Sequence, residues 1–353
     1  MILPGSLTTV LLLLIAGMLG WGMWANLFKA AGGKWRFELF YFDFAFGLIL
    51  AATVLALTVG SLGFDGFSFE DDLRLAGKRQ DLFGFVAGGI FNLGNMLLLG
   101  AVSMDGIAVA FPAGMGVALI VSGLWNFTLN PGGNTLFLMA GIGLIAVAIV
   151  FDILAYKKAG ALREQTEAAP VTTLKLKKPK KRKNTLKGLV LSLAGGLLLG
   201  SFPPLLQMGR TGENGLGPYS IGFMFALGAF FSTFVFNLFF MNLPVQGDPI
   251  EMAEYFRARL GKHVLGFASG VIWYIGLTAS LVSFRVEGKA RIAPSISFGL
   301  LQCGIVIAVL SGLFMWREYH GVGAPVKIRL GLMVFLLLAG LGLLSAGLAT
   351  PVS

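Results

Sequence analysis

Ten long apolar runs dominate this chain of 353 residues, and they restrict the folds that it can adopt. A helix needs about 20 apolar residues to cross a bilayer. Because lipid cannot satisfy the hydrogen-bonding groups of an open strand, we expect these runs to be helical. We call the predicted helices spans 1 to 10, and their residues are 8–28, 40–59, 82–104, 107–125, 135–155, 188–208, 219–242, 263–283, 293–316 and 328–349.

The composition agrees with a membrane location. Hydrophobic residues make up 56% of the chain and charged residues only 12%, which leaves too little polar surface for a water-soluble fold of this size. The first apolar run has no basic segment before it, so we interpret it as a transmembrane helix and not as a cleaved signal peptide. The sequence therefore predicts an all-α integral membrane protein with ten transmembrane helices.

The two halves of the chain are similar to each other. Residues 84–94, GFVAGGIFNLG, match residues 266–276, GFASGVIWYIG, and weaker matches link spans 1 and 6. Each half contains five spans, and because five is odd the second half must enter the membrane with opposite polarity. We predict two inverted five-helix repeats, residues 1–156 and 188–353, joined by a linker of residues 157–187. In such transporters the substrate site lies near the bilayer midplane, between the repeats.

The linker is strongly basic. It holds 11 of the 27 Lys and Arg residues, and seven of these lie between Lys175 and Lys183. Because short loops rich in Lys and Arg stay cytoplasmic, we predict a cytoplasmic linker, both termini outside, and insertion in a plasma or inner membrane. The same charges could bind anionic lipid head groups of the bilayer. We attribute the net charge of +10 to this topology and predict no nucleic-acid partner.

Spans 1 and 6 are interrupted at corresponding places, by residues 20–22 in one and 200–204 in the other. Paired interruptions in matching helices indicate where a transporter binds its substrate. Aromatic rings nearby could stack on a flat heterocycle or on the apolar face of a sugar, and amide or hydroxyl groups could fix its orientation. Packing is the alternative role for each of these side chains. The predicted substrate-binding residues are Trp21, Trp24, Asn92, Asn95, Phe202, Trp273, Tyr274 and Thr278.

Three acidic residues fall in or beside the spans, close to the predicted inner surface. A buried carboxylate is costly in hydrocarbon and therefore suggests a function. Asp43, set among aromatic residues at the start of span 2, is the predicted proton-coupling acid. For Asp152 we expect an interfacial charge pair with Lys157 or Lys158. Glu318 lies just past span 9.

Signals for enzymes and metal sites are weak. The chain has one cysteine, Cys303, and two histidines, His263 and His320, which predicts no disulfide within the chain and no metal cluster. We find no Walker A lysine motif, no HExxH and no nucleophile elbow. The sequence therefore predicts a protein that is not an enzyme and has no cofactor.

Four short motifs of the chain are distinctive: Trp24-Ala25-Asn26-Leu27, Tyr41-Phe42-Asp43, Ala87-Gly88-Gly89 with Gly94-Asn95, and Trp316-Arg317-Glu318-Tyr319. They resemble the ureide permease family of the drug/metabolite transporter superfamily. The resemblance implies a ten-helix secondary transporter of two inverted repeats, with substrates such as allantoin, uracil and related oxo-heterocycles, and with proton symport. Ala25 departs from the pattern, because a proline is common at this position. Sugar permeases of the glucose and rhamnose type share the Gly-Trp-Gly element of span 1.

Together these features predict a permease that imports a small, polar, uncharged metabolite by alternating access, with the proton as coupling ion. A ureide or nucleobase-type heterocycle is the favoured substrate. One alternative is a sugar permease. The other is a non-transporting membrane scaffold or sensor, which would need an exposed partner surface that only the linker could supply.

Overall fold

The computed structural model describes residues 1–33, 35–62, 68–129, 131, 133–168, 185–286, 290, 292 and 294–349. The described residues are almost entirely helical and include no β-strand. A π-helical turn, Ser311–Met315, follows α12. The helices are α1 (Leu7–Ala30), α2 (Phe37–Leu57), α3 (Phe69–Leu75), α4 (Lys78–Asp105), α5 (Ile107–Leu129), α6 (Thr135–Ala168), α7 (Thr185–Arg210), α8 (Pro218–Asn242), α9 (Ala253–Phe256), α10 (Leu260–Ser283), α11 (Pro294–Gln302), α12 (Gly304–Leu310) and α13 (Ala324–Gly347).

Within the described ranges, ten segments are long and apolar enough to cross a membrane, which confirms the predicted spans and the all-α class. Nine of them are single helices. Span 9 is irregular, because α11, α12 and the π-helical turn follow one another within Ile296–Met315. The chain is a multi-pass integral membrane protein.

The predicted linker is partly helical. α6 continues through Ala168, well past the predicted end of span 5, and α7 already begins at Thr185. The basic run from Lys175 to Lys183 lies, with the rest of residues 169–184, outside the described residues. We call the side of the bundle where α6 ends and α7 begins the linker side.

Glycines set the closest helix crossings. A Cβ atom on Gly88 of α4 would lie 1.9 Å from the Phe225 carbonyl oxygen of α8, and a Cβ atom on Gly270 of α10 would lie 2.0 Å from the Phe44 carbonyl oxygen of α2. No other residue fits at such a distance. Small residues of this kind let helices approach in lipid, where apolar burial does not drive association.

The most extensive contacts have the same pattern in both halves of the chain. α1 packs on α10, and α7, five spans after α1, packs on α4, five spans before α10. In the same way α2 packs on α10 and α8 packs on α4, while α6 packs on α13. Exchanging each span for the one five places away leaves these pairings unchanged.

Candidate functional site

A cavity of about 550 Å³ lies between the helices, lined by α1, α4, α5, α7, α10, span 9 and the end of α13. It extends to the ends of four helices, where Asn126, Arg210, Arg285 and Leu348 line it. α7 begins on the linker side and ends at Arg210, so this end of the cavity faces away from the linker. We call it the mouth.

Aromatic rings form the inner end of the cavity. The Trp273 ring lies 4.1 Å from that of Phe91, its equivalent in the sequence match of the two halves, and stacks on Phe225 at 5.7 Å with an angle of 10° between the ring planes. Trp21 stacks on Trp273 at 6.1 Å, and its indole N–H donates to the Trp273 carbonyl oxygen at 3.2 Å. Gly276 permits this contact, since a Cβ atom there would lie 2.6 Å from the Trp21 ring. A flat apolar ring could stack at this end.

We call this inner end of the cavity the aromatic floor. A second pair of matching residues flanks it. Trp24 of α1 packs on Phe44 with ring centroids 5.5 Å apart, and Phe202 of α7 packs on Phe225 at 5.6 Å. Phe202 stands next to Pro203 inside α7. The predicted interruptions are wrong, because α1 and α7 are continuous helices through residues 20–22 and 200–204. Helices in a bilayer tolerate glycine and proline where neighbouring groups satisfy the freed backbone. The two matching aromatic residues nevertheless line the same cavity.

Polar groups along the wall are mostly amides. The Asn95 side-chain amide donates to the Tyr41 hydroxyl at 3.2 Å, which holds it in place at the inner end. The Asn126 amide donates to the Ser122 hydroxyl at 3.3 Å. The Gln302 side-chain oxygen is buried and has no hydrogen-bond partner in the described part of the chain. It is therefore an acceptor that a ligand could use.

Five of the eight predicted substrate-binding residues line the cavity. These come from four helices that are far apart in sequence, so the fold brings together what the sequence only suggested. The five are Trp21, Trp24, Asn95, Phe202 and Trp273.

The other three predicted residues lie outside the lining. Asn92 donates to the Ser232 hydroxyl at 2.8 Å and accepts from Thr233, which joins α4 to α8. Tyr274 is buried, with its hydroxyl against α8. The hydroxyl oxygen of Thr278 is buried one helical turn from Tyr274 on α10. Contact of these three with substrate stays a prediction.

Asp43, the predicted coupling acid, does not line the cavity either. It is buried on the linker side of α2, where the Tyr255 hydroxyl donates to one carboxylate oxygen at 2.5 Å and His263 Nδ1 lies 2.9 Å from the other. The Trp35 ring meets the His263 ring edge-on at 5.5 Å. Burial, and then the Asp43 carboxylate, raise the pKa of Tyr255 above the usual tyrosine range. This cluster joins α2 to α9 and α10.

A second cluster closes the same side. Glu318 pairs with Lys29 of α1 and accepts from two backbone N–H groups at the start of α5, at 2.9 and 2.7 Å. A helix N-terminus is a favourable place for a carboxylate because its N–H groups lack partners within the helix. The Trp316 indole N–H donates to the Asn26 side-chain oxygen at 2.6 Å. The two halves are therefore tied together on the linker side.

The expected surface ion pair of Asp152 is wrong. Asp152 is fully buried, and neither carboxylate oxygen has a hydrogen-bond partner in the described part of the chain. The reason is the length of α6, which places Asp152 well inside the span rather than at its end.

The sequence provided no reason to assign a role to several of these residues. They are Tyr255 and His263 on the linker side, and Arg210 and Arg285 at the mouth. Asp43 and His263 are 220 positions apart, so no local pattern relates them. The position of His263 at the start of span 8, in the helix that crosses span 2 at glycines, is the signal that could have paired them.

Comparisons with known proteins agree with a transport fold. Ureide permease 1 of Arabidopsis thaliana is 20% identical over 323 residues, covering 79% of this chain and 81% of that protein. Ureide permease 2 of the same plant is 19% identical over 385 aligned positions, covering 94% and 95%. A solved structure described as "Crystal structure of protein" has a TM-score of 0.52 at 14% identity and covers 94% of this chain and 96% of that chain, which shows a shared fold. No family model matches the chain.

Proposed function

We propose that this protein is a secondary transporter that imports a small polar metabolite of the ureide or oxo-heterocycle class. The observation that carries the proposal is the cavity, which reaches from an aromatic floor to one end of the bundle while two side-chain clusters close the other end. The similarity to two ureide permeases supports the substrate class. A transporter needs such a one-sided chamber to bind its substrate before the opposite side opens.

Two inverted repeats, residues 1–156 and 188–353, would provide the alternating access. Two observations support this arrangement: equivalent spans of the two halves make the same helix contacts, and each half has an odd number of spans. Opening the linker side would then require the halves to rock about the glycine crossings, where Gly88 and Gly270 place backbones in contact. We further propose that the linker is cytoplasmic and both termini lie outside, since positive loops stay inside. In this orientation the mouth faces outward.

The lining favours a flat heterocycle over a sugar. A sugar site would be expected to combine amides with carboxylates, and the described residues that line the cavity include no Asp or Glu. Aromatic groups are abundant instead, and Trp21 and Trp273 supply a stacked pair at the floor. A sugar should therefore bind weakly. A scaffold or sensor role has less support, because it would leave the cavity without a use.

Asp43 is the proposed coupling acid, acting through closure of the linker side rather than through contact with substrate. Its carboxylate binds Tyr255 and His263, and a proton taken up by this pair would change the charge that holds α2 to α10. The proton would have to reach the pair from the mouth while the linker side is closed, and it would leave to water on the linker side once that side opens. Proton and substrate movement would be linked in this way.

Uptake into proteoliposomes tests the transport function. We expect the wild-type protein to take up radiolabelled allantoin or uracil and not glucose. Asn95→Ala should abolish uptake, because it removes the amide at the inner end of the cavity, while the matched Asn242→Ala, on an exposed helix end, should retain it. Uptake by Asn95→Ala at the wild-type rate would remove Asn95 from the site, and uptake of glucose alone would favour the sugar permease.

Coupling is tested by the dependence of uptake on a pH gradient. Uptake by wild type should rise when the outer side is acidic, and Asp43→Asn should lose this response. Asp248→Asn, an exposed acid on the linker side, is the matched control and should keep it. Uptake rates that do not depend on the pH gradient, in wild type and in Asp43→Asn alike, would exclude the coupling role of Asp43.

A further inference from the structure

Two arginines at the mouth of the cavity have no part in the proposed transport mechanism so far. Arg210 is the last residue of α7, Arg285 lies two positions beyond the end of α10, and both line the cavity. The described residues that line it include no carboxylate. Two positive charges therefore border a chamber that holds no opposite charge of its own.

Arg210 has hydrogen-bonding capacity to spare. A guanidinium group has five N–H donors. One of them contacts the Leu281 carbonyl oxygen at 3.3 Å, and the Nε–H group is buried without a partner in the described part of the chain. The charge of Arg285 also acts on Arg210, and like charges repel. A bound anion would satisfy the open donors and offset the repulsion.

The positions of the two arginines at helix C-termini explain why their charges are stable there. They do not explain why the Nε–H donor of Arg210 has no partner in the described structure. Arg210 ends α7 and Arg285 follows α10, and a cation near a helix C-terminus gains about 0.3–1 kcal/mol from the helix dipole. That gain needs no contact with a cavity. A purely structural role would let Arg210 turn toward solvent, whereas its side chain is half-buried and lines the chamber.

We propose that Arg210 and Arg285 form an anion subsite, and that the transported metabolite is a ureide or oxo-heterocycle that carries a carboxylate. This inference rests on the proposed transport function and departs from the uncharged substrate that the sequence predicts. The planar guanidinium of Arg210 matches a carboxylate in a two-bond contact. The ring would stack on the aromatic floor near Trp273, and the free Gln302 oxygen would accept from a ureide N–H group.

Matched pairs of probes test the subsite. Two pairs differ mainly in a carboxylate: uracil and orotate, and hydantoin and hydantoin-5-acetate. The third pair, allantoin and allantoate, differs both in a carboxylate and in the opening of the ring. The Kd of each probe is measured by tryptophan fluorescence quenching on the purified full-length protein, because three tryptophans line the cavity. We expect the wild type to bind the anionic member of at least one pair more tightly than the neutral member.

Arginine variants test whether Arg210 and Arg285 cause the preference for the anionic probe. Arg210→Gln should raise the Kd of the preferred anion about 10- to 100-fold, the effect of losing charged hydrogen bonds, and should leave the Kd of the neutral member unchanged. Arg210→Lys should recover part of the affinity. Arg285→Gln should weaken anion binding as well. Because Arg285 is exposed, this variant should fold even if Arg210→Gln does not. Arg79→Gln is the control, since Arg79 packs on Phe83 at 5.4 Å and does not line the cavity.

Three results would overturn the subsite: neutral members that bind as tightly as anionic ones, an anion preference that survives in both arginine variants, or no binding of any anionic probe. A lipid head group offers the same anionic oxygens, so stabilisation by phosphatidylglycerol is compared in nanodiscs. Loss of lipid stabilisation alone in Arg210→Gln would assign the arginines to lipid instead. Uptake of a neutral probe without anion preference refutes only the subsite, whereas absence of uptake for all six probes refutes the transport function.

Discussion

Glu318 provides the sharpest test of how the linker side is closed. Its two carboxylate oxygens accept from backbone N–H groups at the start of α5, and it pairs with Lys29. Hydrogen bonds to a charged group contribute about 1.5–3 kcal/mol each, and a neutral one about 1 kcal/mol. Glu318→Gln keeps one acceptor and loses the charge, so the loss is about 2–5 kcal/mol. The loss of the Lys29 contact adds to this, because both side chains are mostly buried and the substitution leaves the lysine charge without its carboxylate.

The consequence is measurable by hydrogen exchange. The first N–H groups of α5 should be protected in the wild type, since Glu318 accepts from them. A loss of about 3 kcal/mol corresponds to an exchange rate roughly 150-fold faster for these amides. Mass spectrometry of a peptide that covers Ile107 and Ala108 would follow it. Glu254→Gln is the matched control, because Glu254 forms an exposed pair with Arg257 and should leave the peptide unchanged.

A small effect would refute this reasoning. If Glu318→Gln changed exchange of the α5 peptide by less than about threefold, the carboxylate would contribute under 1 kcal/mol to closure. The closed linker side would then depend on helix packing and on the Asp43 cluster. An equal increase in Glu254→Gln would point to general loosening and would also count against a specific role for Glu318.

Three further predictions concern stability and ionisation. Gly88→Ala should lower Tm, because its Cβ atom would lie 1.9 Å from the Phe225 carbonyl oxygen, whereas Gly89→Ala, with nothing within 4 Å, should not; equal Tm values would contradict the crossing. Asp152→Asn should leave Tm equal or higher, because the amide removes a charge that has no hydrogen-bond partner in the described structure, and a clear loss would reveal a missing partner. The raised pKa of Tyr255 predicts that its phenol stays protonated at about pH 10, where an exposed tyrosine is half ionised; ultraviolet titration against Tyr255→Phe checks this.

Hydropathy was sufficient for the fold because a bilayer permits few structures. Ten apolar runs of the right length leave helices as the solution, and the spans are found where the sequence predicts them. The irregular course of span 9 was not predictable, since its break at Cys303 and its π-helical turn depend on neighbouring helices. The burial of Asp152 was missed for a related reason: hydropathy did not reveal that α6 continues to Ala168.

The candidate site was most predictable where the duplication repeated a signal. Trp24 and Phe202 occupy matching positions of spans 1 and 6, and both line the cavity. Helical position alone could not separate Asn92 from Asn95, which lie three residues apart, because the direction of α8 decides that Asn92 contacts Ser232 rather than the cavity. The charged groups of the mouth and of the linker side come from single positions without a repeated partner.

The two ends of the bundle differ in charge although the halves pack alike. The match between spans 1 and 6 relates Lys29 to Gln207. The equivalent crossings of Gly84 and Gly266 relate Asp43 to Met224, so these two charged groups of the linker side have neutral equivalents on the mouth side. In the proposed change from the state open at the mouth to the state open on the linker side, ion pairs on the linker side break. Fewer ion pairs would form at the mouth to replace them. A ligand can shift such an equilibrium only by binding one state more tightly. An anion held by Arg210 would supply this difference when the mouth closes around it, which links the proposed substrate charge to the direction of the conformational change.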